Sequence, residues 1–146
     1  MTRSKIIALS LATFCGLALQ AGAASAGSTT LLPGNSIVTG GIDAIVSGNW
    51  HILVMQQDGN VVLYNPSGVA IWSTNTWGEG GQVFIMQSDG NLVLYGDNGA
   101  LWASQTAGNP GAFLNVQDDG NLVVYRAGST TETANNALWA SNTGGQ

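Results

Sequence analysis

The chain has 146 residues, 45% of them hydrophobic and only 8% charged, with eight acidic residues against three basic ones. A chain this short makes one domain with a modest core. The acidic balance argues against nucleic acid or an anionic membrane as a partner, so neither nucleic-acid binding nor membrane insertion is expected.

Residues 1–26 read as a secretory signal peptide. Arg3 and Lys5 precede an almost wholly apolar run from Ile6 to Leu19, too short for a membrane span, and Ala24-Ser25-Ala26 is a small-residue cleavage signal. The mature domain, residues 27–146, is therefore expected to be secreted, with periplasmic passage if the source is bacterial. A retained N-terminal anchor is the alternative, but no stop-transfer pattern follows. Cys15, the only cysteine, follows Phe14, a poor lipidation context, and lies within the signal. No disulfide can form, even where export would permit one. Without Arg3 and Lys5, Arg126 alone stands against the eight acids, a charge near −7. Few charges with many Gly, Val, Leu and Trp point to an all-β domain with tight turns.

Gly27 to Ile42 is a lead-in with a turn at Pro33-Gly34-Asn35, and Ala44 to Val46 reads as a short strand. Three repeats follow. Each opens with an apolar run: Ile52 to Met55, Val83 to Met86, Phe113 to Val116. An Asp-Gly-Asn turn comes next, where Gly and Asn tolerate positive φ. The return strands are Val61 to Tyr64, Leu92 to Tyr95 and Leu122 to Tyr125. A second turn leads to a third strand, read as Ile71 to Thr76, Leu101 to Thr106 and Leu138 to Thr143. Gly-rich segments, 78–81 and 108–111, separate the repeats. No helix is expected outside the signal.

All three copies fit Gln-x-Asp-Gly-Asn-x-Val-x-Tyr, and the first Gln recurs after 31 and then 30 residues. That period marks stacked or radially arranged copies of one supersecondary unit. The return strands are apolar on both faces, so alternation alone does not identify the buried one. One arrangement fits: Val61 and Leu63 face a central core while Val62 and Tyr64 line a shallow outer groove. Trp72, Trp102 and Trp139 occupy equivalent places and are expected to meet at a pseudo-threefold axis in the core. The third repeat is longer. Tyr64 to Trp72 spans eight positions and Tyr95 to Trp102 seven, but Tyr125 to Trp139 spans fourteen. The extra residues, within 128–136, read as an exposed polar hairpin extension.

Asn60, Val62 and Tyr64 lie two apart and point to one side of a strand. Gln56 and Asp58 end the partner strand across the turn. The set is one carboxylate, two amides, a phenol and one apolar wall. It suits vicinal hydroxyls, which donate and accept at once: Asp58 and Asn60 can bracket one hydroxyl, Gln56 the neighbouring one and Tyr64 the next, with Val62 against ring carbons. Turn chemistry alone would explain Asp, Gly and Asn but not the recurring Gln and Tyr.

The pattern from Gln56 to Tyr64, its copies from Gln87 and Gln117, and the ending Trp139 to Gly145 resemble the bulb-type lectins, the monocot mannose-binding family typified by snowdrop agglutinin. The resemblance covers essentially all of the mature chain. It implies a type II β-prism: three four-stranded antiparallel sheets around a pseudo-threefold axis, each with a shallow mannose site. It implies that Asp58 and Asn60 take the axial 2-hydroxyl, Gln56 the 3-hydroxyl and Tyr64 the 4-hydroxyl, with Val62 on the ring. Gln87, Asp89, Asn91, Val93 and Tyr95 carry over to the second site, and Gln117, Asp119, Asn121, Val123 and Tyr125 to the third. Plant members usually carry one disulfide; Gly59 and Gln82 stand where its cysteines would be expected. Members that exchange a C-terminal strand form dimers, and Trp139 to Thr143 leaves a homodimer open here.

Asp118-Asp119-Gly120-Asn121 lacks the spaced acids and terminal Glu of a helix-loop-helix calcium site, so no metal or other cofactor is expected. His51 is the only histidine and the mature chain has no cysteine, which leaves no Ser-His-Asp or Cys-His triad and no zinc site. Asp118 and Asp119, the one adjacent acidic pair, would alternate faces on a strand and make poor partners for glycoside hydrolysis. Trp77 stands in a Gly-rich linker as a rim residue, a dimer contact or an added sugar platform. The expected function is a secreted, non-enzymatic lectin for mannose or mannose-containing glycans and glycoproteins. The rivals are a protein-interaction or toxin-like module of the same fold with weak or vestigial sites, and an enzyme acting on glycans.

Overall fold

The computed structural model describes residues 29–41, 44–129 and 134–146. The expected signal peptide lies outside them, as do residues 130–133 of the expected hairpin extension. Twelve strands form three four-stranded sheets: β1 (Thr30–Leu31), β2 (Ser36–Val38), β3 (Ala44–Val46), β4 (Ile52–Met55), β5 (Val61–Tyr64), β6 (Ala70–Ser73), β7 (Gly81–Met86), β8 (Leu92–Gly96), β9 (Gly99–Ala103), β10 (Phe113–Val116), β11 (Leu122–Tyr125) and β12 (Ala137–Ala140). The sheets run β3-β4-β5-β6, β2-β7-β8-β9 and β1-β10-β11-β12. Every paired neighbour is antiparallel. This is the β-prism that the resemblance implies. Among the described residues no helix is long and apolar enough to cross a membrane. Contrary to the expectation of no helix outside the signal, the described residues include one short 3-10 turn, Ala134–Asn136, just before β12.

Each repeat supplies three strands and the lead-in supplies the fourth. The lead-in lays β1, β2 and β3 against three different repeats in turn. Thr30 pairs with Asn115, Ser36 with Ile85 and Ala44 with Val54. Two of these strands were not expected from the sequence. A two- or three-residue strand has no readable alternation, and its partner lies far along the chain.

The period of two divides the return strands as expected. Val61 and Leu63, Leu92 and Leu94, and Leu122 and Val124 all enter one buried core with Leu53, Phe84, Met86 and Leu114, while the intervening Val62, Val93 and Val123 do not. Trp72, Trp102 and Trp139 pack edge to face in a closed triangle, with ring centroids 5.3–5.6 Å apart. They are partly rather than fully buried and pack against the core. Edge-to-face contact sets the positive ring edge against the negative face and adds about 0.5–1.5 kcal/mol per pair beyond area burial.

The third strands are shorter than the sequence suggested. They stop at Ser73, Ala103 and Ala140. The chain then turns sharply, because Asn75, Gln105 and Asn142 adopt φ of 58°, 62° and 58°. A left-handed residue ends strand pairing, and the kink throws the following threonine back toward the hairpin of the same repeat.

Candidate functional site

Each hairpin loop closes in the same way. Gln56 N–H donates to the Asn60 carbonyl at 2.8 Å and Gly59 N–H to the Gln56 carbonyl at 3.1 Å. Gly59, Gly90 and Gly120 take φ of 86°, 92° and 90°, the left-handed conformation that such loops need and that glycine adopts without a Cβ clash. Asn60, Asn91 and Asn121 are not left-handed, contrary to the turn role that the sequence allowed them. Their side chains do the work instead.

The asparagine side chain is held from behind. Asn60 Oδ1 accepts from the Thr74 hydroxyl at 3.0 Å and from Thr76 N–H at 3.1 Å. Asn91 Oδ1 accepts from Ser104 at 3.3 Å and Thr106 N–H at 3.1 Å. Asn121 Oδ1 accepts from Ser141 at 3.1 Å and Thr143 N–H at 3.3 Å. A backbone N–H can only donate, so the amide orientation is fixed: oxygen inward, NH₂ toward the groove. The hydroxyl of Thr76, Thr106 or Thr143 in turn donates to the carbonyl of Gly59, Gly90 or Gly120. These Ser/Thr-x-Thr triplets were visible in the sequence only as strand ends. Their recurrence after each tryptophan was the available signal, and the left-handed middle residue hid the role.

The carboxylate is oriented as well. Oδ1 of Asp58, Asp89 and Asp119 accepts from the backbone N–H of Asn60, Asn91 and Asn121, each at 2.9 Å. The second carboxylate oxygen takes no part in that bond. At the other end, Gln56 Nε2 donates to the Tyr64 hydroxyl at 2.6 Å, Gln87 to Tyr95 at 2.8 Å and Gln117 to Tyr125 at 2.9 Å. Val62, Val93 and Val123 lie between them on the same strands and are themselves buried, 1–4% exposed. The structure thus brings together all fifteen expected residues as three like sets, one per sheet.

The grooves differ in their floors. Across the first sheet the row reads Ala44, Val54, Val62, Ser73. Across the second it reads Ser36, Ile85, Val93, Ala103. Across the third it reads Thr30, Asn115, Val123, Ala140. Asn115 therefore replaces an aliphatic residue, and a cleft of about 420 Å³ opens there between Thr30, Asn115, Gln117, Asp118 and Asp119. Tyr125 is buried and stacks at a tilt on Phe113, with centroids 5.9 Å apart, where Tyr64 and Tyr95 face Ile52 and Val83.

Asp118 and Asp119 do not alternate on a strand. Both lie in the Gly120 turn. Asp118 is tied to the loop before β4, where Asn49 N–H donates to its carboxylate at 3.2 Å. His51 is buried beneath that same turn, beside Ser47 and the Gln146 carbonyl. Among the described residues no three His, Cys, Asp or Glu side chains cluster as metal ligands would. Gly59 packs directly on Gly81: a Cβ at residue 59 would lie 2.6 Å from the Gly81 nitrogen. The contact is with the neighbour of Gln82, whose own side chain donates to the Asp97 carboxylate.

Comparison with solved structures finds the same architecture in named lectins. A monomeric monocot mannose-binding lectin from Gastrodia elata is 37% identical with a TM-score of 0.65, over 80% of this chain and 99% of that one. Snowdrop (Galanthus nivalis) agglutinin, solved with methyl-α-D-mannoside, is 34% identical with a TM-score of 0.61, over 73% and 97%. A lectin of Marasmius oreades is 30% identical with a TM-score of 0.69, over 84% and 97%. No protein-family model and no curated protein matches the sequence.

Proposed function

The chain belongs to the bulb-type, snowdrop-agglutinin-like family of mannose-binding lectins, and from that premise we propose that it is a secreted, non-enzymatic lectin with three sites for mannose and mannose-containing glycans. One observation carries the reading. In every sheet Oδ1 of the Asp and Oδ1 of the Asn are already bonded to protein, which leaves the second carboxylate oxygen and the amide NH₂ of one short turn for a ligand. A single hydroxyl, which accepts from the amide and donates to the carboxylate, matches that pair.

The axial 2-hydroxyl of mannose fills this place at Asp58 and Asn60. Gln56 takes the 3-hydroxyl and Tyr64 the 4-hydroxyl, and Val62 lies under the ring. The second site uses Gln87, Asp89, Asn91, Val93 and Tyr95, and the third Gln117, Asp119, Asn121, Val123 and Tyr125. All contacts are direct, so binding needs no metal. An open groove with one small apolar wall gains little from burial, and each hydroxyl contact replaces one with water. Affinity for the free monosaccharide is expected on the order of millimolar, about −4 kcal/mol. Function at a glycan-dense surface rests on avidity, which can exceed single-site affinity by about 10²–10⁴.

Retention on mannose-agarose in the presence of chelator, with elution by methyl α-mannoside, tests this reading. Failure to bind, or binding that calcium restores, contradicts it. Capture of a protein partner independent of free mannoside would favour the interaction-module alternative.

A further inference from the structure

Trp77 is 73% exposed, the most exposed of the large apolar side chains among the described residues. It does not sit on a remote loop. Its preceding neighbour, Thr76, donates its N–H to Asn60 Oδ1 at 3.1 Å, and its following neighbour, Gly78, donates its N–H to the Asp58 carbonyl at 2.7 Å. Residue 77 is thus clamped on both sides to the two residues that would hold the sugar 2-hydroxyl.

The other two repeats build the same clamp. Gly108 N–H donates to the Asp89 carbonyl at 3.0 Å and Gly145 N–H to the Asp119 carbonyl at 2.7 Å. The residues in the position of Trp77 there are Ala107 and Gly144. The backbone geometry therefore forms with alanine or glycine in place, and the fold does not require an indole. An exposed indole leaves much of its apolar area in water, where burial would contribute about 25 cal/mol per Å². A large apolar residue left exposed in this way is informative where a scattered small one is not.

We propose that Trp77 is a stacking platform that extends the first site to a second pyranose residue, giving it a preference for oligosaccharide over monosaccharide that the other two sites lack. The proposal rests on the mannose reading above. In that pose the 2-, 3- and 4-hydroxyls run from Asp58 and Asn60 through Gln56 to Tyr64. C1 is bonded to C2, so it lies at the Asp58 and Asn60 end of the groove. A substituent on the anomeric oxygen therefore leaves toward the loop that carries Trp77. The second sugar is the one to which the bound mannose is linked. Its C–H face matches an aromatic face, and a clamped backbone loses little further freedom on binding.

The test titrates the full mature chain with methyl α-mannoside and with an α-linked mannobiose, following the backbone amide signals of Asn60, Asn91 and Asn121 and the Trp77 indole N–H by NMR. Mannobiose should bind the first site more tightly than the methyl glycoside by about three- to tenfold, the range of one aromatic stacking contact. It should shift the Trp77 indole. Trp77→Ala should remove that gain, leaving methyl mannoside at the first site and both ligands at the other two unchanged. Trp77→Tyr should retain part of it. A gain that persists in Trp77→Ala, or that all three sites share, overturns the proposal. So does a Trp77→Ala variant that lowers the sedimenting mass without altering sugar affinity, which would make the indole a contact between copies of the chain. If neither sugar moves any of the three asparagine signals, the mannose reading itself fails. If they move and Trp77→Ala changes nothing, the platform alone fails.

Discussion

The backbone N–H of Thr76 donates to the side-chain oxygen of Asn60 at 3.1 Å, and the Thr76 hydroxyl donates to the carbonyl of Gly59, the residue before it, at 2.9 Å. One threonine therefore fixes both the turn and the amide that the turn presents. Thr106 with Asn91 and Gly90, and Thr143 with Asn121 and Gly120, repeat the relationship. Each groove is pre-organised by residues that lie behind it.

Thr74→Val tests that support. Thr74 is buried; its hydroxyl donates to Asn60 Oδ1 at 3.0 Å and accepts from Val61 N–H at 3.0 Å. Valine keeps the shape and leaves a buried N–H without an acceptor, at a cost of about 1–3 kcal/mol. Urea unfolding should show that loss. In the still-folded variant, methyl α-mannoside should bind more weakly at the first site only. Unchanged stability and unchanged affinity together would remove Thr74 from the account.

Asn91→Asp separates binding from folding. A carboxylate oxygen can still accept from Ser104 and Thr106, so the melting temperature should hardly move. The outward NH₂ becomes an oxygen, and a sugar hydroxyl then faces two carboxylates, that of Asp89 and the new one. The second site should lose about 1–3 kcal/mol, roughly five- to 150-fold in affinity. Sugar-induced amide shifts at that sheet that match the parent protein would reject the role given to Asn91.

Two glycine substitutions should differ in size. Gly40 has φ +75° and open space around it, whereas Gly90 has φ +92° and a Cβ there would strike the Asn109 carbonyl. Gly40→Ala should cost only the left-handed penalty of about 1–2 kcal/mol. Gly90→Ala adds a backbone clash and should cost more, as measured by thermal unfolding. Equal costs would mean that the second turn can move away from the loop before β10.

Much of this architecture was legible because each repeat carries its own instructions. The Asp-Gly-Asn turn, the alternation of Val61 and Leu63 against Val62 and Tyr64, and the tryptophan triangle follow from local pattern. The return strands Val61–Tyr64 and Leu122–Tyr125 fell at their expected bounds. The rest depended on contacts distant in sequence. Thr30 and Leu31 form a strand only because Asn115 and Leu114 lie beside them. Gln105 gives no sign of its left-handed backbone, so the shortened third strand and the role of Ser104 and Thr106 stayed hidden. The polar third floor, Thr30 beside Asn115, required the register of a strand that the sequence did not announce.

Calorimetric titration of the mature chain with methyl α-mannoside in chelator tests the central claim most directly, with Asp58→Ala measured beside the parent. The Asp58 carboxylate serves only its own turn, where it accepts from Asn60 N–H, and its carbonyl, which accepts from Gly78 N–H, is kept in the variant. The account predicts three millimolar sites in the parent and two in the variant, with the affinity of the remaining sites unchanged and retention on a dense mannan surface sharply reduced. Loss of all monosaccharide binding from that one substitution while the fold persists, or a single site in the parent, would contradict it.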